Sequence, residues 1–388
     1  MNFELISIIV VYSFIFFIIY KNRKKIQIMD KIFFVYKWDK GVDLIKKLSK
    51  KFFKIIFTIG IPISFFFMLF GIKAMIDGAM NIALSPAPEP TVGIVIPGIR
   101  IPGSPFYVPF WYGIISLAII IFFHELSHGI SATIEKIKLK STGIGLLLFL
   151  PIAFVEPEIK SYEKSSNISK IRMLIAGSFA NISIAFLCFL IIIFLMTPLV
   201  NSMIDYNGVT ILSSAENEPA HLAGVINNSK ILMINNESIN DLNDFHYSLS
   251  NINPGEKLIL TTNYSEYEII ASSNPNNDSL AYLGVFVNQE WNFKESLNYL
   301  PNFILNLPLI FSELLMWVSN LNFAIGIINL YPLWITDGGK IIIELLYSLI
   351  KNKRKANIIA NNLFLIFFGI LLFNLIGPFL INSINSIF

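Results

Sequence analysis

The chain has a single cysteine among 388 residues, four histidines, and charged side chains at only 14% of positions. Each scarcity excludes something. The lone Cys188 rules out an intrachain disulfide and a cysteine-rich metal site; set in an apolar run, it reads as a small apolar filler. Soluble domains carry charge at about a quarter of positions, so this composition excludes an ordinary soluble protein. A formal net charge of +3 is too small to argue for a nucleic-acid partner. What fills the sequence instead is apolar: 54% hydrophobic residues, with 35 Phe. That is the composition of an integral membrane protein with polar parts attached.

Apolar runs cover 4–20, 53–75, 111–134, 172–198, a region 303–350 broken at 329–339, and 358–382. Their lengths predict a polytopic α-helical protein with about six transmembrane helices. Residues 296–318 fit either an interfacial helix or a further half-span. Lys21-Asn-Arg23-Lys24-Lys25 follows the first run, whereas a signal peptide carries its positive charges ahead of the apolar core. The Lys-rich stretch 21–51 and Lys351-Asn-Lys-Arg-Lys355 are expected in the cytoplasm, because basic loops stay inside. Both termini and the polar block 205–290 then fall outside, in a multi-pass protein of the cell membrane. The Pro- and Gly-rich segments 84–110 and 141–158 cannot be helical throughout. The second is expected as re-entrant backbone, tolerated at membrane depth only where protein or a wet cavity covers it. The expected organisation is a first helix and basic loop (1–52), a second helix and Pro/Gly loop (53–110), a membrane core (111–200), the polar insert (205–290), and the C-terminal half of the core (296–388).

The third run contains His124-Glu125-Leu-Ser-His128. Residues four apart share a helix face, so both imidazoles can reach one Zn²⁺. Glu125, turned by about 100° from His124, is placed to act on a water there as general base and then as proton donor to a leaving amine. Two of the four histidines fall in this pentapeptide, and ionisable side chains inside a span default to function. A catalytic zinc needs a third protein ligand and an open position. Glu156 and Glu158, which flank Pro157, are candidates. Asp337 is the better one, because it sits where Pro332, Gly338 and Gly339 break the fifth apolar region and its charge needs a partner. The competing role for Asp337 is an ordinary cap of the helix that follows. His221 and His246 lie in the polar block, with core or solvent-facing roles expected.

Three separated motifs now coincide: His124-Glu-Leu-Ser-His128, Ala176-Gly177-Ser-Phe-Ala-Asn181, and Asn329-x-x-Pro332-x-x-x-x-Asp337-Gly338. Together they resemble the site-2 protease family of intramembrane zinc metalloproteases, over about residues 111–380. Ser178 stands where the family usually has Pro, and Thr336 where it usually has Leu. The resemblance implies one zinc per chain held by His124, His128 and Asp337, with Glu125 as catalytic base. It implies hydrolysis of a peptide bond within or beside the transmembrane helix of a single-span membrane protein. Under it, Asn181 and Asn329 either hold the substrate strand or polarise its carbonyl, or they serve as hydrogen-bond glue between helices. Gly177 and Ala180 are expected as close-packing residues.

The polar block alternates like strands at 208–212, 231–239, 257–262, 267–272 and 283–287, with a turn at Asn235-Asn236 and a short helix from Asp241 to Ser250. Glu218-Pro-Ala-His-Leu-Ala-Gly224-Val and the strand and turn spacing after it resemble a PDZ domain, a small α+β fold. Such domains add a peptide strand to a sheet edge. A PDZ-like insert either recognises a peptide in its groove or excludes substrates that still carry bulky outer domains; the second is favoured. Other readings of the whole chain are a metal-ion transporter, a prenyl-protein endopeptidase, and an inactive scaffold. A transporter gains nothing from Glu125 and no inverted repeat is visible. The PDZ-like block and the Asp-Gly motif disfavour the endopeptidase. Retention of all three ligands and the base disfavours the scaffold.

Overall fold

A computed structural model describes residues 3–21, 26–29, 33–85, 88–101, 104, 106–147, 150–275 and 277–385. In chain order the elements are α1 (Phe3–Lys21), β1 (Ile26–Met29), β2 (Phe33–Lys37), α2 (Asp39–Leu48), α3 (Phe52–Leu84), α4 (Phe110–Ile134), β3 (Leu139–Leu147), β4 (Leu150–Pro157), α5 (Ile159–Lys164) and α6 (Asn167–Ile191). A π-helical turn, Ile192–Met196, leads into α7 (Thr197–Met203). Then come β5 (Ile204–Ser214), α8 (Pro219–Leu222), β6 (Ser229–Ile234), β7 (Glu237–Ser238), α9 (Leu242–Ser250), β8 (Lys257–Thr262), β9 (Glu266–Ile270), β10 (Ser272–Asn274), β11 (Asn277–Tyr282) and β12 (Val285–Phe293). The chain closes with α10 (Asn302–Ile328), α11 (Asp337–Leu349) and α12 (Lys353–Asn385). Two compact units result: Met1–Ile192 with Ser312–Phe388, and Ile193–Phe311.

Among the described residues, five helices are long and apolar enough to cross a membrane: Phe52–Leu84, Phe110–Ile134, Asn167–Met203, Asn302–Ile328 and Lys353–Ser383. The apolar α1 is additional to them. Large apolar side chains on these helices, such as Phe66, Leu69, Phe186, Phe194 and Ile366, are exposed. Apolar side chains that face outward are what lipid, not water, would solvate. α10 is one continuous helix through 302–318, and the break in the fifth apolar region is a turn over 329–336 between α10 and α11.

Of residues 141–158, expected as re-entrant backbone that is not helical throughout, 141–147 and 150–157 lie in the paired strands β3 and β4. Within the expected basic loop, 26–29 and 33–37 form β1 and β2, and the sheet order is β1-β2-β3-β4. The pairing of β2 with β3 joins residues about a hundred positions apart: Val35 lies opposite Gly145 and Lys37 opposite Gly143. Gly145 is required there, because a Cβ would strike the Phe34 carbonyl. β4 is an outer strand of this sheet, next to α4.

Close-packing glycines and a buried charge cluster help to hold the helices. Gly60 and Gly71 on α3 let Phe179 and Tyr331 approach the backbone closely. At the end of α4, Glu135 Oε1 lies 2.5 Å from the Arg172 guanidinium and 3.4 Å from Lys54 Nζ. Ser169 Oγ donates to its other oxygen at 2.5 Å, and Arg172 Nε donates to Thr58 Oγ1 at 3.1 Å. Burial alone would raise the Glu135 carboxyl, but the Ser169 hydrogen bond and the two cations outweigh it and hold it below its ordinary value. Stability from this cluster is therefore present at neutral pH. It is lost as pH falls through the folded-state value, which lies below the ordinary glutamate range. Arg172→Met leaves the buried Glu135 carboxylate with Lys54 and Ser169 alone and should cost about 1–3 kcal/mol. Denaturant unfolding in detergent measures this; adding Glu135→Gln should recover part of the loss.

The smaller unit is a sheet in the order β12-β5-β6-β8-β9, with β7 on β6, packed against α9. Its core is Val209, Ile211, Ile231, Leu258, Leu260 and Ile269, each with no more than 1% of its surface exposed. The strand, turn and helix positions expected from the sequence recur here. Asn235 and Asn236 both have positive φ in the β6–β7 turn, and Asp241 caps α9 by accepting from the Asp244 N–H.

Candidate active site

α4 carries His124 and His128 on the face that packs against α6, where Gly177 lies beside both imidazoles. The turn after α10 delivers Asp337 to the same point. That turn is built by small residues: a Cβ on Gly338 would strike the Leu330 carbonyl, and one on Gly339 the Leu333 carbonyl. Thr336 closes it. Its hydroxyl donates to the Tyr331 carbonyl at 2.6 Å and accepts from the Gly339 N–H at 3.2 Å, which caps α11. Asp337 is thereby relieved of the capping role. Its Oδ1 pairs with Lys340 Nζ at 3.1 Å, and its Oδ2 faces the histidines.

Asp337 Oδ2 lies 3.2 Å from His124 Nε2 and 2.9 Å from His128 Nε2, and the two Nε2 atoms are 3.1 Å apart. All three residues are buried. A tetrahedral zinc with bonds of about 2.0–2.1 Å separates its ligand atoms by about 3.3 Å. The donor chemistry also calls for a cation. His128 Nδ1 is 2.8 Å from the Met173 carbonyl, which can only accept, so Nδ1 carries the proton. With His128 neutral, Nε2 would point its lone pair at a carboxylate oxygen, an arrangement that a proton or a metal cation between them relieves. Gly177 completes the cradle. A Cβ there would lie 2.5 Å from His128 Nε2 and 2.7 Å from His124 Nε2. These three residues fit a zinc ion. Gly177→Ala is accordingly expected to lower zinc affinity by at least tenfold, by crowding both ligand nitrogens (the scale of change in a ligand's immediate surroundings); competition with a chelator would measure it.

Glu125 is turned away from the three ligand atoms. Its Oε2 accepts the Val155 N–H of β4 at 2.9 Å. A cavity of about 810 Å³ is lined by His124, Glu125, His128, Asn329 and Asp337, with Val155 in its wall. Asn329 thus sits at the cavity, and its carbonyl accepts the Gly338 N–H at 2.8 Å. Asn181 is fully buried and does not line the cavity; its amide lies 3.1 Å from His124 Nδ1. Glu156 is engaged by Lys140 at 2.6 Å and Ser141 at 2.7 Å. Neither it nor Glu158 joins the histidine group among the described residues. His221 and His246 belong to the smaller unit.

Several contributors were not foreseen. The Met173 carbonyl and the Val155 N–H are main-chain groups, which carry no sequence signal. Gly177 does pack closely, as expected, but against the imidazoles. Its spacing from Asn181, one helical turn, was the available clue that both face the same place.

The model of peptidase family M50 matches residues 112–373, which include the His-Glu-x-x-His helix, the α6 segment and the Asp-Gly turn. The chain belongs to peptidase family M50. This is the site-2 protease family of membrane metallopeptidases. The chain is also 30% identical over 359 residues to the uncharacterized protein MJ0971 of Methanocaldococcus jannaschii, a match that covers 87% of this chain and 85% of that protein. M50 peptidases are zinc metalloproteases, and the His124, His128 and Asp337 group is where this M50 chain could hold its metal.

Proposed function

We propose that this M50 chain is an intramembrane zinc metallopeptidase that cuts a peptide bond within or next to the transmembrane helix of a single-span membrane protein. The convergence of His124, His128 and Asp337 with Glu125 at one cavity, on helices apolar enough to span a bilayer, carries this reading. One zinc held by His124, His128 and Asp337 would polarise the scissile carbonyl and acidify a water. Glu125 takes the proton from the attacking water and later delivers it to the leaving amine. Its carboxylate is aimed by the Val155 N–H. Asn329, at the cavity wall, is placed to hold the substrate backbone.

A transmembrane helix hides its carbonyls in internal hydrogen bonds, so the substrate must unwind to be cut. β4 offers a template for the unwound strand. Residues 151, 153 and 155 share the edge that faces away from β3. Pro151 has no N–H to give, and Val155 gives its own to Glu125, so Ala153 is the position on this edge placed to donate to and accept from an added strand. We place the basic segments 21–51 and 351–355 in the cytoplasm and the smaller unit outside, on the positive-inside rule. The smaller unit acts as a PDZ-like module. Its groove of about 400 Å³ between α9 and the Leu283–Val285 strand start suits an extended peptide, although exclusion of bulky substrates needs no ligand there.

The protein reconstituted in lipid vesicles with a panel of single-span substrates tests this reading against metal transport. Cleavage that stops with a zinc chelator and returns with zinc is the expected result. Zinc flux across the vesicle without cleavage would favour a transporter.

A further inference from the structure

The ligand His124 has a partner with no assigned role. Asn181 on α6 has no exposed surface, and its amide nitrogen lies 3.1 Å from His124 Nδ1. Its amide oxygen is buried without any hydrogen-bond partner. An orphaned buried carbonyl of this kind costs about 1–3 kcal/mol, so it calls for an explanation. The two ends of an amide are nearly alike in shape and exchange by a half-turn of the terminal torsion. Only one orientation suits a metal site. An imidazole that offers Nε2 to a metal carries its proton on Nδ1, so Nδ1 must donate. An amide nitrogen facing it would set two donors against each other. With the oxygen facing it, the proton is accepted and the orphaned oxygen is satisfied.

We infer that Asn181 is a positioning residue for the metal site: its side-chain carbonyl accepts the His124 Nδ1 proton and fixes the tautomer and ring angle that present Nε2 beside Asp337. This rests on the metallopeptidase reading above. α6 then performs the same service twice. The Met173 carbonyl accepts from His128 Nδ1 at 2.8 Å, and Asn181, eight residues or about two turns on, accepts from His124. Gly177 lies between them against both Nε2 atoms. Gly326 on α10 backs the assembly, where a Cβ would come within 3.3 Å of Asn181 Cβ. Asn181 therefore acts through His124 and touches no substrate.

The test is zinc affinity, measured on the full-length protein in detergent by competition with a chelator. Asn181→Leu, similar in size but unable to accept, should bind zinc about 10–100-fold more weakly than wild type. Asn181→Asp, which can only accept at this position, should stay within a few-fold of wild type or exceed it. A Leu variant as tight as wild type, or an Asp variant as weak as the Leu one, overturns the inference. A second readout does not depend on the Leu variant folding. In zinc-loaded protein with ¹⁵N-labelled histidine, the Asn181→Asp variant should shift one imidazole Nδ1–H resonance downfield, since a carboxylate is the stronger acceptor; an unmoved spectrum overturns it. Failure of wild type to bind zinc at all would instead refute the metallopeptidase reading, so the two failures are distinct.

Discussion

Glu125→Gln should lower turnover of a membrane-anchored substrate by about 10²–10⁴-fold, the range for loss of a general base, while zinc content stays at the wild-type level. The separation of effects follows from the geometry. Glu125 leaves the helix in a different direction from His124 and His128, and its carboxylate reaches Val155 of β4 instead of the ligand cluster. Glutamine is close to isosteric and can still accept the Val155 N–H through its amide oxygen. The carrier of the proton is removed while its support is left in place. Purified variant and wild type, compared for zinc by elemental analysis and for cleavage in vesicles, give both halves of the result.

Asp337→Ala should remove both activity and tight metal binding. The loss of affinity should exceed the about 10–100-fold typical of changes around a ligand, because Oδ2 faces both imidazole Nε2 atoms at 3.2 and 2.9 Å. Thr336 keeps the fold out of the comparison. The cap of α11 is a threonine hydroxyl, so removing the Asp337 carboxylate leaves the Gly339 N–H satisfied. Lys340 loses its partner, yet it is half exposed and water replaces the pair at little cost. A variant that unfolds no earlier than wild type in the metal-free state but no longer retains zinc is the expected outcome. Full zinc occupancy in Asp337→Ala would move the third ligand elsewhere.

The parts of this molecule that sequence made legible are those whose cause is local. A pentapeptide with two histidines four apart announces itself, because one helix turn brings the imidazoles together. Asp337 stood out because a charge in an apolar region, beside paired glycines, needs a partner. The strands of the smaller unit were visible as alternation, and its β6–β7 turn as adjacent Asn residues. The four-stranded sheet beside the site was not legible. Its β2–β3 register joins residues 33–37 to 143–147, and nothing in either segment specifies a partner so far along the chain. Gly143, Gly145 and Pro151 signalled only that a helix was excluded; that the segment is a hairpin depends on β2 being there to receive it. Thr336 looked like a minor departure from a family pattern, whereas its hydroxyl is the cap that frees Asp337. Asn181 was read as a substrate contact or helix glue. Its position behind His124 depends on how α6 is rotated against α4, which sequence spacing alone leaves open.

These observations separate the metal-holding parts from the chemistry. α4, α6 and the α10–α11 turn build the cluster, and β4 holds Glu125, the proposed base. The most direct test of the whole account uses zinc-loaded protein in lipid vesicles with a single-span substrate, the products being mapped by mass spectrometry. The account predicts a cut within or immediately beside the substrate's apolar segment, present in wild type and absent in Glu125→Gln. A cut confined to a soluble region far from that segment, or one undiminished in Glu125→Gln, would contradict it.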